Sequence, residues 1–407
     1  MNMKQKLLYY LAFASASLLL VSCNSSESNT PGYLTADIRN SLNQPTILNL
    51  DDEIESVSYV PLEVTSDDAS LIDGVTSYVI TDKYIYILPV KEERIALFDK
   101  QGHFIKTLIS PGQGPGEISE VIINMQADEK KNRLYLFGTN QILVYTLDGE
   151  FIQHISHDYQ VVAQCLIEEE RLAAISFPYQ PFQGRGFGLG IFTTQGDTIL
   201  MKNDFYSPLV PRENSGFTVC MTVAYSEPEH SLLFKTGSND TVFRISNNTI
   251  QPACILNLQN SNNEITRALD ITDFSSLQKK LGEDNDIFIS DIFETPKQYY
   301  FRFRYNQGHC VASVNKKTGK TLVEKCIQPG TLKEMADVNL QHGMLGTKSY
   351  HNFPVWGRVS GNELVQIVTP YELNFYKETQ SISIPDNLNT KEEEGNPIFI
   401  FYKLKDQ

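Results

Sequence analysis

Arginines alternate with aromatics in the stretch QYYFRFRY, Gln298 to Tyr305. On a strand, Arg302 and Arg304 share one face and Phe301, Phe303 and Tyr305 the other. Two guanidiniums so spaced present planar donor forks that suit a carboxylate or sulfate if that face lines an axial channel; on a solvated outer face they have no such role. A second stretch, SFPYQPFQGRGFGLG from Ser176, sets Gly184, Gly186, Gly188 and Gly190 on one strand face and Arg185, Phe187 and Leu189 on the other, with Tyr179 among the preceding aromatics. A glycine face permits close approach by a ligand or by another backbone. Trp356 and Arg358 follow an irregular, glycine-containing stretch that holds His342, Tyr350 and His351. The candidate ligand-binding residues are therefore Tyr179, Arg185, Arg302, Arg304, Trp356 and Arg358.

Other constellations argue against specific chemistries. His154 and His157 in QHISHD are three apart, so on a strand their imidazoles face opposite sides and share an ion only if the chain turns there. PGQGPGE, Pro111 to Glu117, has the glycines of a phosphate loop but no following lysine; Pro115 lacks an amide proton and Glu117 adds negative charge. It reads as a corner, with glycine permitting the reversal and proline stiffening it. No Ser-His-Asp set, zinc spacing or paired-carboxylate site is spelled, so no catalytic residue, metal or cofactor is assigned. Cys310 and Cys326 flank a hairpin turning at Lys317-Thr318-Gly319; they can bridge only in the register that puts both on one face.

The 407 residues carry 34 basic and 49 acidic side chains, a net charge of -15, which excludes nucleic acid as a partner. Two lysines within Met1–Lys6, an apolar run from Leu7 to Val21 and then Leu20-Val21-Ser22-Cys23 have the shape of a secretion signal too short to favour a spanning helix. Leu-Val-Ser-Cys resembles the lipobox of bacterial lipoproteins, which implies cleavage after Ser22 and fatty acylation of Cys23 as the membrane anchor. The expected division is a signal peptide over 1–22, a lipidated cysteine and flexible tether over 23–44, and one domain over 45–407.

The elements that would position the arginines repeat along the chain. IALFDKQGHFIKTL, ILVYTLDGEFIQHI and GIFTTQGDTILMKN are each strand, glycine turn, strand, and their turn glycines, Gly102, Gly149 and Gly196, recur at a constant interval. A fourth hairpin turns at Asn247-Asn248, a fifth at Gly319, and RVSGNELVQIVTP supplies a sixth pair. Each hairpin follows another strand pair, the proportion of a β-propeller blade. The sequence predicts an all-β, six-bladed β-propeller with four-stranded antiparallel blades. The last strand, NPIFIFYKLK, shuts the ring with an N-terminal one, from Thr46 or from Ile54. Asp273–Leu281 places Phe274, Leu277 and Leu281 on one helical face, a short helix inserted between blades.

The ordered set SVSYVPLE, DKYIYI, RIALFDKQGHFIKTL, GQGPGE, RLYLF and NPIFIFYKLK resembles the six-bladed β-propeller lipoproteins of Gram-negative gut bacteria, relatives of the NHL-repeat propellers. The resemblance implies fold and export: an outer-membrane lipoprotein, facing periplasm or cell surface. The functional expectation is a binding or interaction module for a glycan, an acidic small ligand or a protein partner, with the small ligands at the central channel. The alternative is a propeller hydrolase or lyase acting on a carbohydrate or lactone.

Overall fold

Alternating β-branched and aromatic residues form strands throughout, and residues that tolerate positive φ reverse them. Gly102, Gly149, Gly196 and Gly319 turn four of the hairpins at φ between 71° and 92°, and Asn247 turns another at 47°. In this computed structural model the described residues run from Tyr33 to Lys405, apart from residues 177–188, 203–220, 261–284 and 325–357, most of 375–394, and scattered positions of one to four residues.

Two strands come first, β1 (Thr35–Ala36) and β2 (Ile54–Pro61). Blade 1 is β3 (Val75–Ile80), β4 (Tyr84–Pro89), β5 (Ile95–Asp99) and β6 (Phe104–Ile109). Blade 2 is β7 (Ile122–Asp128), β8 (Arg133–Gly138), β9 (Gln141–Tyr145) and β10 (Phe151–Ser156). Blade 3 is β11 (Val161–Ile167), β12 (Arg171–Ser176), β13 (Leu189–Thr193) and β14 (Thr198–Lys202). Blade 4 is β15 (Met221–Ser226), β16 (Ser231–Thr236), β17 (Thr241–Ser246) and β18 (Thr249–Leu256). Blade 5 is β19 (Phe288–Glu294), β20 (Gln298–Tyr305), β21 (Gly308–Asn315) and β22 (Thr321–Val323). Blade 6 is β23 (Arg358–Ser360), β24 (Glu363–Val368) and β25 (Ile398–Leu404), completed by β2. The fold is thus a six-bladed β-propeller.

Ring closure follows the expectation: β25 pairs antiparallel with β2 from Ile54↔Leu404 to Pro61↔Ile398, so the strand from Ile54 is the partner. Thr46 instead bridges Glu324 in blade 5. First strands lie against one another, β3 with β7, β7 with β11, β15 with β19 and β19 with β23, which sets them innermost. Six apolar clusters fill the six seams. Tyr86, Leu88, Met125 and Tyr145, for example, close blades 1 and 2, and Phe98, Val365, Phe399 and Phe401 close blades 6 and 1. Each large side chain removed from water contributes roughly 1.5–3 kcal/mol.

One boundary is corrected. The tether expected through residue 44 ends earlier, because the compact unit begins at Leu34. There β1 pairs parallel with β18, making blade 4 five-stranded rather than four. A helical turn, α1 (Ile38–Ser41), follows, with Ala36 and Ile38 fully buried against blades 4 and 5. Thr321 Oγ1 accepts the Asp37 amide proton at 3.0 Å and Arg39 Nε donates to Leu258 O at 2.7 Å. Two apolar side chains among polar neighbours gave the sequence no periodic signal here. The helix expected over Asp273–Leu281 lies outside the described residues.

Candidate functional site

The repeat itself exposes the exceptional positions. In blades 1 to 5 the fifth residue of the second strand pairs with the innermost strand and faces the next blade. In the first three blades it is Leu88, paired with Ser77, Phe137, paired with Asn124, and Ile175, paired with Ala163. In blade 4 it is Lys235, paired with Thr222, and in blade 5 Arg302, paired with Asp291. Apolar side chains thus give way to cations in two adjacent blades. In blades 1, 2, 3 and 5 the innermost strand bulges immediately before its paired residue, a device that re-aims side chains at a rim.

Arg302 Nη2 donates to Asp291 Oδ2 at 2.9 Å, with the two side chains 16% and 30% exposed. Burial lowers the guanidinium from its ordinary value, and Asp291 pulls the other way by charge and hydrogen bond. Arg304, two residues on and half-buried, is lowered by burial alone. Both arginines lie on the face that carries Tyr300 into the core between blades 5 and 6, while Tyr299, Phe301 and Phe303 face blade 4. They face a seam beside the innermost strand, rather than the open channel or the outer surface. Lys235 is 2% exposed. Nearby, burial raises the Asp240 carboxyl while the charge of Lys235 draws it down. The rim of blades 4 and 5 thus holds the cations Lys235, Arg302 and Arg304, the first two with a carboxylate close by.

The segments that hold the remaining candidates are bounded by strand ends at the same rim. In an antiparallel blade the first strand starts, and the second ends, at one edge. Tyr179 and Arg185 fall in the connection between β12 and β13, Trp356 in the one leading into β23, and all three lie outside the described residues. Arg358 opens β23, which runs beside β19. The three longest links between blades, residues 203–220, 257–287 and 324–357, lead into the first strands of blades 4, 5 and 6. Sequence reasoning missed Lys235, Asp240 and Asp291. The available signal was Lys235 inside SLLFKT, polar where the equivalent strands of blades 1 to 3 are apolar.

Elsewhere the chemistry is closed off. In PGQGPGE the Glu117 carboxylate accepts the Gly114 amide proton at 2.7 Å, so the chain's own anion fills the loop. Tyr145 donates to Gly116 O at 3.1 Å, tying the corner to blade 2. His154 is exposed beside Ser156 Oγ, and the backbone N–H of His157 donates to Asn140 O. Among the described residues no three His, Cys, Asp or Glu side chains gather for a metal. Burial pushes the free Cys254 thiol up to about 12, and the free Cys165 thiol is also raised by burial, which favours the protonated form of both. Cys310 is disulfide-bonded, and Cys326 lies outside the described residues. No helix of the described residues is long and apolar enough to cross a membrane.

The family model described as "Domain of unknown function (DUF4934)" matches residues 34–403. A Bacteroides fragilis protein classed as exported is similar in structure, with 17% identity, coverage of 92% of this chain and 100% of its own, and a TM-score of 0.64. A DUF4221-family member from Bacteroides vulgatus is similar at 12% identity, with 87% and 98% covered and a TM-score of 0.51. At such identities both likenesses concern the fold. None of the curated proteins compared matches the chain.

Proposed function

We propose that this chain, which belongs to the DUF4934 family, is an exported β-propeller anchored in the outer membrane by acylated Cys23. Its rim over blades 4 to 6 binds a carboxylate- or sulfate-bearing glycan or acidic small molecule. One observation carries the binding role: Lys235 and Arg302 stand where the equivalent positions of blades 1 to 3 hold Leu88, Phe137 and Ile175. Cations in a seam cost desolvation, and a ligand carboxylate meeting Arg304 beside the Asp291–Arg302 pair recovers part of it. Export is supported by the leader residues and by the classification of the Bacteroides fragilis protein.

The test uses the soluble chain starting after Cys23 against arrays of acidic and neutral glycans. Arg304→Ala is expected to weaken binding of an acidic hit about tenfold or more, the range of one lost charged hydrogen bond. Affinity unchanged in both Arg302→Ala and Arg304→Ala removes the rim from the hypothesis. Metabolic labelling with a fatty acid tests the anchor, and label retained in Cys23→Ala refutes it.

A further inference from the structure

The seam between blades 2 and 3 departs from its neighbours at the opposite edge of the blades, where first strands turn into second strands. Tyr86, Tyr135 and Tyr300 occupy equivalent positions, each two residues before Leu88, Phe137 or Arg302. Tyr86 donates its hydroxyl to Leu147 O at 2.9 Å, and Tyr300 donates to Glu53 Oε1 at 3.3 Å. Tyr135 is 5% exposed, yet its hydroxyl has no hydrogen bond among the described residues. Tyr135 lines a groove instead, where water or a ligand can meet that hydroxyl.

The next blade's turn differs as well. Leu147 sits two residues before Gly149 and packs into the seam between blades 1 and 2. At the same offset before Gly102, Lys100 lies over the Phe401 ring at 5.0 Å. Before Gly196 the equivalent residue is Thr194, shorter and polar. Where Leu147 fills the seam between blades 1 and 2, the seam between blades 2 and 3 holds a groove of about 370 Å³, lined in part by Tyr135, Val144 and Ile152. The volume falls in the range of small-molecule sites. Lys131, Arg133, Gln153, Glu170, Thr194 and Gln195 line the rest, and the Glu170 carboxylate is paired with Lys131 at 3.0 Å. Arg133 uses Nη1 on the Lys131 and Asn132 carbonyls, both at 3.0 Å, so Nε and Nη2 remain for another acceptor.

We infer that this groove is a second binding site, for a hydroxyl-rich monocarboxylate the size of one or two sugar rings, a hexuronate in chemical class. Arg133 takes the carboxylate. The Tyr135 and Thr194 hydroxyls and the Gln153 and Gln195 amides, which both donate and accept, take ring hydroxyls. The inference does not depend on the rim over blades 4 to 6.

Titration of the soluble chain with D-glucuronate and D-galacturonate, against D-glucose, followed by calorimetry and NMR, tests it. The uronates are expected to saturate in the millimolar range or tighter and glucose to bind at least about tenfold more weakly, as loss of a charged contact dictates. Thr194→Leu rebuilds the plug of Leu147, so it is expected to fold normally and abolish binding. Tyr135→Phe is expected to weaken binding roughly three- to tenfold, whereas Arg304→Ala leaves this site unchanged. No saturable uronate binding, glucose binding as well as uronate, or full affinity in both Thr194→Leu and Tyr135→Phe would each overturn the assignment. Uronate binding lost only in Arg304→Ala would assign it to the other rim.

Discussion

Truncating Arg244 tests how blades 4 and 5 are joined. Arg244 Nη1 and Nη2 each donate to the Glu294 carboxylate at 2.8 Å, and further bonds reach Ser231 Oγ at 2.6 Å and Tyr299 Oη at 2.7 Å. The Glu294 side chain is 1% exposed and that of Arg244 16%, and Lys316 also pairs with Glu294. At such a separation two unit charges attract by about 6 kcal/mol at an effective dielectric constant near 20, before several kcal/mol of desolvation are subtracted. Arg244→Ala removes the attraction but leaves the carboxylate buried. Lys316 remains to offset part of that loss, so the expected cost is about 3 kcal/mol, the lower end for a broken buried pair. Denaturant unfolding of the soluble chain measures it. The paired replacement Arg244→Met with Glu294→Leu is expected to cost far less, since neither charge is then orphaned.

The pH dependence supplies a second reading of the same network. Burial alone would raise the Glu294 carboxyl, but Arg244, by hydrogen bond and charge, and then Lys316 hold it below its ordinary 4.5. The folded value is therefore the lower one, so the stabilisation is complete above the unfolded value and disappears as pH falls through the folded value. The difference between wild type and Arg244→Ala should shrink below about pH 4.5. A cost under about 1 kcal/mol at neutral pH, or a paired replacement as damaging as the single one, would refute the reasoning.

The equivalent turn glycines should respond unequally. A Cβ at Gly102 would lie 2.2 Å from Pro61 O, whereas one at Gly196 meets nothing within 4 Å. Gly196→Ala is expected to cost about 1–2 kcal/mol for positive φ, and Gly102→Ala about 1–3 kcal/mol more for displacing the backbone of the ring-closing strand; equal losses in thermal unfolding would contradict the repeat comparison. Burial raises Glu53 from its ordinary 4.5, against hydrogen bonds from Thr295 and Tyr300, so the folded state binds that proton more tightly. Its charged form therefore weakens the fold as pH rises through the raised value. Glu53→Gln should raise the melting temperature at neutral pH and lose that gain near pH 4; a gain independent of pH would show that ionisation is not the cause.

The blade count, the hairpin turns and the closing strand were legible because they are local. Strand alternation and a residue that tolerates positive φ act within a few positions, and Gly102, Gly149 and Asn247 announce their turns wherever the chain goes afterwards. That the last strand closes the ring with an N-terminal one could be named because end strands of a repeat have no other edges to cover, but the choice of Ile54–Pro61 over the strand from Thr46 came only with the structure. The packing of Thr35–Ala36 on blade 4 could not, since a two-residue strand has no period to read.

The binding residues divide along the same line. The sequence determined that Arg302 and Arg304 share a face opposite Phe301 and Phe303, because alternation is intrinsic to a strand. Only the tertiary structure decided that this face meets a seam beside the innermost strand, that Asp291 lies 2.9 Å away, and that Lys235 in the preceding blade holds the matching position. The groove lined by Tyr135 is the clearest case. Thr194 is visible as a letter, but the space beside it exists only once two blades are packed together, because a cavity belongs to two surfaces and a sequence describes one at a time.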